Sequence, residues 1–232
     1  MVDPRELMRI QIATLFTLDD AERLVRVNDL AGQPAPRFFL GRTARGNEWR
    51  VRHDVSADVV GTLQALCASE PPGDEFLAPP HGVPRYEAVL ARAAPVHSVW
   101  TGPTYWFPEQ LPVVSGTVVI TSANSELLEP HLPAWLEDVA AGVPVVAVVQ
   151  GGRAVSICCS VRVTPVAHEA GVETHAPFRG RGYAALAVAG WAKAIRALGS
   201  MPLYSTSWQN TASQAVARKL GLVRFGTHLH IT

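Results

Sequence analysis

Thr174–Ala185 reads THAPFRGRGYAA. The residues before it, Ala167 to Thr174, read as a strand. Those after it, Gly182 to Leu198, read as a helix, with Val188, Trp191, Ile195 and Leu198 at helical spacing. The stretch is therefore a strand-to-helix turn that carries two glycines and two arginines. Gly180 and Gly182 let the backbone curl closely around a ligand. The free amides at the helix start point into the same space, and the helix dipole adds partial positive charge there. Arg179 and Arg181 add full charges. The expected chemistry is a cradle for a pyrophosphate, held by the backbone from Arg179 through Ala184.

Working outward, Gly199 stands where the helix should stop. Leu203 to Ser207 reads as the next strand. Asn210 to Leu220 reads as a second helix, capped by Asn210 and stopped by Gly221, and Val223 to Ile231 as a last strand. Upstream, Thr117 to Thr121, Val143 to Val149 and Ala154 to Val163 read as strands, the last two joined at Gly151-Gly152. Glu126 to Ala141 reads as a helix interrupted near its start by Pro130 and Pro133. The order from residue 116 is β-α-β-β-β-α-β-α-β. The expected fold class is α/β (α+β), a mixed sheet flanked by helices.

The first half is less regular. Arg37 to His53 predicts a hairpin around Arg45-Gly46-Asn47, Asp54 to Ala68 a helix, and Arg85 to Ala94 a short helix. The Pro-rich stretch Glu70 to Pro84 between them reads as a linker. Ser98 to Pro108 is dense in aromatic residues; Trp100, Tyr105, Trp106 and Phe107 are expected in the core, with an acceptor pocket as the other option. Trp191 is expected in the core, and Trp208 either there or lining a pocket. The expected domains are 1–115, an additional N-terminal α/β segment, and 116–232.

Composition narrows the classes. Of 232 residues, 48% are hydrophobic and 17% charged, which supports a packed core rather than disorder. Net charge is zero, and basic residues cluster only at Arg179 to Arg181, so no nucleic-acid partner is expected. The longest apolar run, Val143 to Val149, falls far short of the ~20 residues of a membrane helix. The N-terminal MVDPRE has no apolar signal core. The expectation is a soluble cytoplasmic protein without membrane association. Cys67, Cys158 and Cys159 have no CxxC spacing and read as buried thiols. His228-x-His230 lacks a third ligand at useful spacing, so no metal is expected.

Two nucleotide readings compete for the turn. Gly180, Gly182 and Ala185 satisfy G-x-G-x-x-A, yet the following strand ends in Ser205-Thr206-Ser207-Trp208, without the acidic residue a dinucleotide site needs. The other reading fits better. Arg179-x-x-Gly182-x-Ala184 resembles the R/Q-x-x-G-x-G/A signature of the GCN5-related N-acetyltransferases, the GNAT superfamily. The block from Asn210 through Ser213, Val216, Ala217, Lys219 and Gly221 to Leu222 resembles that family's later helix. Glu169 to Ala184 looks similar to the FR47-like and ZmaR-like branches.

The resemblance implies an acyltransferase that moves an acetyl group from acetyl-CoA, or another acyl-CoA, to a primary amine in a ternary complex. It implies that Arg179, Gly180, Arg181, Gly182, Tyr183 and Ala184 hold the pyrophosphate. Val172 and Thr174 would meet the pantetheine arm by backbone, and Asn210 would contact the same arm. Candidate bases are His168, Glu169 and Glu173; strand alternation puts His168 on one face and the two glutamates on the other. The family's usual acid, a tyrosine, falls at Ala217, which leaves Tyr183 or Tyr204 as acid, or no acid at all. The acceptor would be a small-molecule or peptide amine, and the assembly admits a homodimer. The alternative is a non-catalytic coenzyme A-binding sensor, which Ala217 favours.

Overall fold

The computed structural model describes residues 3–73, 79–112 and 115–232. Part of the expected linker, 74–78, lies outside the described residues. In chain order the elements are α1 Pro4–Leu15, β1 Phe16–Leu18, β2 Leu24–Val27, β3 Phe38–Thr43, β4 Gly46–Val51, α2 Ala57–Ser69, α3 Val83–Ala91 and β5 Val99–Trp106. There follow β6 Thr117–Ile120, α4 Leu136–Ala140, β7 Val145–Gln150, β8 Arg153–Val163, β9 Ala167–Thr174, α5 Tyr183–Ala197, β10 Met201–Ser205, α6 Thr211–Lys219 and β11 Val223–Ile231. The chain divides into two compact units.

The first unit comprises residues 1–105, 205–210 and 224–232. Its strands run in the order β4-β3-β11-β5. The expected hairpin is β3–β4, in register from Phe38↔Val51 to Thr43↔Gly46. The last strand of the chain returns here: β11 pairs antiparallel with β3 from Thr227↔Arg42 to Ile231↔Phe38. One face of this sheet, Phe38, Leu40, Val51, Leu229 and Ile231, packs on Leu63, Cys67, Tyr86, Val89 and Leu90 of α2 and α3. On the other face Met8 of α1 fills the space where side chains at Gly41 and Gly226 would stand.

Three features of this unit were not expected from the sequence. α1 buries Leu7, Met8, Gln11, Ile12 and Leu15, and Asp3 caps it by accepting from the Arg5 amide at 3.2 Å. Its signals, an Asp-Pro start and apolar residues at helical spacing, were present. β1 and β2 form a short ribbon. The aromatic-rich stretch is the strand β5, although Gly102-Pro103 in its middle argues against a strand. The structure supplies the reason for both residues. A side chain at Gly102 would overlap the Thr206 carbonyl, and the Pro103 carbonyl accepts from the Thr206 amide at 3.2 Å.

The second unit comprises residues 106–204 and 211–223. Its strands run β10-β9-β8-β7-β6. β6 to β9 are antiparallel neighbours, and β9–β10 is parallel. α5 covers one face, burying Ala185, Ala187, Val188, Ala189, Trp191, Ala192 and Ile195. Gly190 permits the approach, since a Cβ there would lie 2.9 Å from Thr117 Oγ1 and 3.1 Å from Val146 Cγ1. The other face is Ile120, Val145, Ala147, Ile157 and Cys159 packed on Leu128, Leu132 and Val139. The continuous helix expected over Glu126 to Ala141 is instead two 3-10 turns, Ser125–Leu128 and Pro133–Trp135, followed by the five-residue α4. Pro130 and Pro133 lack the amide hydrogens that an α-helix would need, which breaks the segment into short turns. Among the described residues no helix is long and apolar enough to cross a membrane.

Candidate functional site

β9 and β10 pair over three residues only, Ala167↔Met201, His168↔Pro202 and Glu169↔Leu203. Beyond Glu169, β9 continues against β8 alone, through Cys159↔Gly171 and Cys158↔Val172 to Ser156↔Thr174. The His175 amide donates to the Val155 carbonyl at 2.9 Å. Amides alternate along an antiparallel strand, so those of Gly171 and Glu173 also face β8, and those of Val172 and Thr174 face the open side. The register irregularity lies in β8, between Ser160 and Arg162, and β9 keeps its alternation. The extra residue, Val161, fills the position a side chain at Gly171 would need.

Downstream of β9, a 3-10 turn over Ala176–Phe178 leads to Gly180 at φ +76° and Gly182 at φ +83°. Both values lie in the left-handed region that glycine adopts without strain. Thr174 anchors the start of the turn: its hydroxyl lies 2.7 Å from Ser156 Oγ, and its carbonyl accepts from Arg179 Nε at 3.1 Å. Arg181 donates to the Pro177 carbonyl at 3.1 Å and lies 5.2 Å over the Phe178 ring. The two arginines thus brace the loop as well as charging it. Among the described residues neither pairs with a carboxylate. No side chain caps α5, and its first turn holds no acidic residue. An uncapped helix start and two arginines lie within a few residues of one another, an arrangement suited to an anion.

The candidate bases separate by face, as strand alternation predicts. His168 is buried beneath α5; its Nδ1 lies 2.9 Å from Ser160 Oγ, which accepts from Trp191 Nε1 at 3.0 Å. Burial lowers the His168 pKa below the ordinary histidine value. Glu169, 4% exposed, stands on the opposite face at the last rung before β9 and β10 part. Glu173 is on the same face as Glu169 and accepts from Trp135 Nε1 at 2.6 Å. That indole, on a 3-10 turn far away in sequence, had no signal in the sequence.

The candidate acids differ as well. Tyr204 is buried, and its hydroxyl lies 2.7 Å from Ser213 Oγ on α6. Ser213 lies one turn before Ala217, which is fully buried. Tyr183 is half-buried at the start of α5, its ring 6.4 Å from Phe178. Asn210 is exposed and directly precedes α6; its backbone N–H donates to Ser207 Oγ at 3.2 Å.

Other candidates resolve within the first unit. Tyr105 is buried there, and the ring of Trp100 lies 4.6 Å from His228 and 5.0 Å from His230. His230 Nε2 and His228 Nδ1 are 3.1 Å apart, and among the described residues no group of three His, Cys, Asp or Glu is placed to hold a metal. A cleft of about 440 Å³ is lined by Arg5, Asn47, Trp49, Gln64, Cys67 and Glu70, and shares no residue with the turn at 179–184.

Residues 140–227 match the family model described as GNAT acetyltransferase. No curated protein matches the sequence. Among solved structures, a GCN5-related N-acetyltransferase-like protein from Streptococcus suis is similar over 99% of this chain and 98% of that chain, at 13% identity and a TM-score of 0.50. An acetyltransferase from the GNAT family of Colwellia psychrerythraea matches over 100% and 97%, at 10% identity and TM-score 0.49. A protein of Novosphingobium aromaticivorans, assigned to the same family of acetyltransferases, matches over 59% of this chain at 19% identity and TM-score 0.49. That match spans 65% of the Novosphingobium chain, just under two thirds of its length.

Proposed function

We propose that this chain, whose residues 140–227 match the family model described as GNAT acetyltransferase, is an acyl-CoA-dependent N-acyltransferase, with acetyl-CoA as donor and a primary amine as acceptor. The observation that carries this reading is the uncapped N-terminus of α5, set among uncompensated arginines at the end of a strand that has parted from its neighbour. The amides from Arg179 to Ala184 would hold the pyrophosphate. The open-side amides of Val172 and Thr174 would meet the pantetheine arm, and an amide on this edge would polarise the thioester carbonyl. Residues 116–232 would carry the donor site.

Transfer makes an N–C bond and breaks a C–S bond. The attacking ammonium must first lose a proton, and the leaving thiolate can gain one. Glu169 is the base we favour, directly or through a water, because it stands where the strands part and faces away from the core that holds His168. Tyr204, through Ser213, is the hydroxyl pair offered to the departing sulfur. A thiol with a pKa near ~8.5 also leaves as thiolate without an acid. The three cysteines are free and buried, in keeping with a reducing cytoplasm.

Ala217 supports a second reading, a coenzyme A-binding sensor that does not turn over. Two measurements decide. Calorimetry should show acetyl-CoA binding and no NAD binding; the reverse result overturns the proposal. Thiol release from acetyl-CoA should rise above background with at least one member of an amine panel. Tight binding with no release across the panel would favour the sensor.

A further inference from the structure

The outer half of β9 carries a row of groups on the face away from α5. Alternation puts Glu169, Gly171 and Glu173 in line there. At about 3.4 Å per residue, the two glutamates stand roughly 13 Å apart along the strand. Gly171 between them has no side chain, and Val161, the extra residue of β8, fills its place with a half-buried isopropyl group. The row is therefore carboxylate, aliphatic group, carboxylate.

The far end of the row is built by a distant segment. Leu132 is buried in the core, and residues on either side of it reach β9. His131 stacks on His175 with ring centroids 4.1 Å apart, and Trp135 Nε1 donates to Glu173 Oε2 at 2.6 Å. These two contacts hold residues 131–135 against the end of the strand. Ser156 Oγ donates to the Glu173 carbonyl at 3.1 Å and fixes the backbone beneath. Glu173 is thus oriented by a neutral donor. Among the described residues no Lys, Arg or His lies within ion-pair distance of its carboxylate, and Oε1 accepts no hydrogen bond. A half-buried carboxylate held in place without a cation favours one from outside, and the indole beside it favours the same charge.

We infer that Glu173 and Trp135 recognise a second cationic group on the acceptor, which makes the substrate class a linear diamine or polyamine. The reacting amine lies at Glu169, the methylene chain crosses Val161, and the other ammonium donates to Glu173 Oε1. This rests on the proposed transfer to an amine and narrows its acceptor. Glu173 contacts the substrate and sets specificity. Trp135 is a positioning residue that acts through Glu173.

The test measures acetyl transfer from acetyl-CoA to α,ω-diamines of increasing length, each beside the monoamine of equal length. It uses the full-length protein, Glu173→Gln and Trp135→Phe. Glutamine keeps a carbonyl for the Trp135 indole, so the segment stays in place while the charge is lost. Phenylalanine keeps a ring and removes the donor. In the native protein kcat/KM should favour a diamine over its matched monoamine by about tenfold once the chain spans the row. Glu173→Gln should raise KM for diamines by about the same factor and leave kcat and the monoamine KM unchanged. Trp135→Phe should raise the diamine KM by a smaller factor, again at unchanged kcat. Equal losses for diamines and monoamines, or an unchanged diamine KM in Glu173→Gln, would overturn the inference and leave Glu173 as a structural pin. Transfer to monoamines alone, or to no member of the series by a protein that binds acetyl-CoA, would overturn it as well and leave the donor site standing. If the unaltered protein binds no acetyl-CoA, the proposed function falls, and this inference with it.

Discussion

At the residue scale, the structure gives polar side chains that neighbour each other in sequence different surroundings. His168 and Glu169 are adjacent in the sequence and opposite in fate. The imidazole is held by Ser160 Oγ, which also accepts from the Trp191 indole, while the carboxylate marks the point of strand separation. Glu169→Gln should lower kcat by about 10²–10⁴-fold, with acetyl-CoA affinity retained; an unchanged kcat in the folded variant would remove Glu169 from the mechanism. The buried histidines make a further prediction. Burial, with the neighbouring His230 adding to it, holds His228 well below the ordinary histidine range, and burial lowers His168 in the same direction. The unfolded chain therefore binds protons that the native protein excludes, and stability rises with pH. It should be fully present above about pH 6.5 and decline as pH falls below it, with a limiting slope of about 1.4 kcal/mol per pH unit for each histidine. Denaturant titrations at several pH values measure this. His228→Gln should flatten the decline, and an identical slope would contradict it.

At the element scale, α5 is placed by close approach rather than by propensity. Gly to Ala in a helix interior ordinarily stabilises by about 0.5–1 kcal/mol. Gly190→Ala should do the opposite here, because the new methyl meets Thr117 Oγ1 at 2.9 Å and Val146 Cγ1 at 3.1 Å. A loss of about 1–3 kcal/mol is expected from overpacking. Urea unfolding gives the sign, and a gain in stability would show that α5 is free to shift on its sheet. The turn–turn–helix segment before β7 makes the complementary point. Its helical spacing is real, since Leu128, Leu132 and Val139 all reach the core, yet the prolines divide it. That irregular backbone is what brings Trp135 to Glu173.

At the scale of the whole molecule, the chain does not divide at one point in sequence. β11 follows directly on the second unit's last segment but belongs with β3 and β4 of the first. Truncation after Val223 should therefore unfold the first unit, since Phe38 and Leu40 lose Leu229 and Ile231 from their core. Limited proteolysis should then cut within residues 1–105 in the truncated protein and leave the full chain intact there. A truncated protein with native resistance in that region would contradict the assignment. For the same reason a fragment starting at residue 116 carries β11 without its partner β3, and should expose an unpaired strand edge.

The turn at 174–185 was legible because its chemistry is local. Two glycines with positive φ, an uncapped helix start and two arginines all lie within a few residues of one another. Helices α5 and α6 and strands β8, β9 and β11 were legible for the same reason, each carrying its own periodicity and stop residue. β5 was not, because the contact that justifies Gly102-Pro103 comes from Thr206, about a hundred residues away. The parting of β9 from β10, the shielding of His168 and the Trp135–Glu173 bond had no local signature either. Each depends on which distant segment folds back to a given face. By itself the sequence determined the glycine-and-arginine turn between strand and helix; only the tertiary structure decided which side chains surround it, because those neighbours are brought together by packing and not by spacing along the chain.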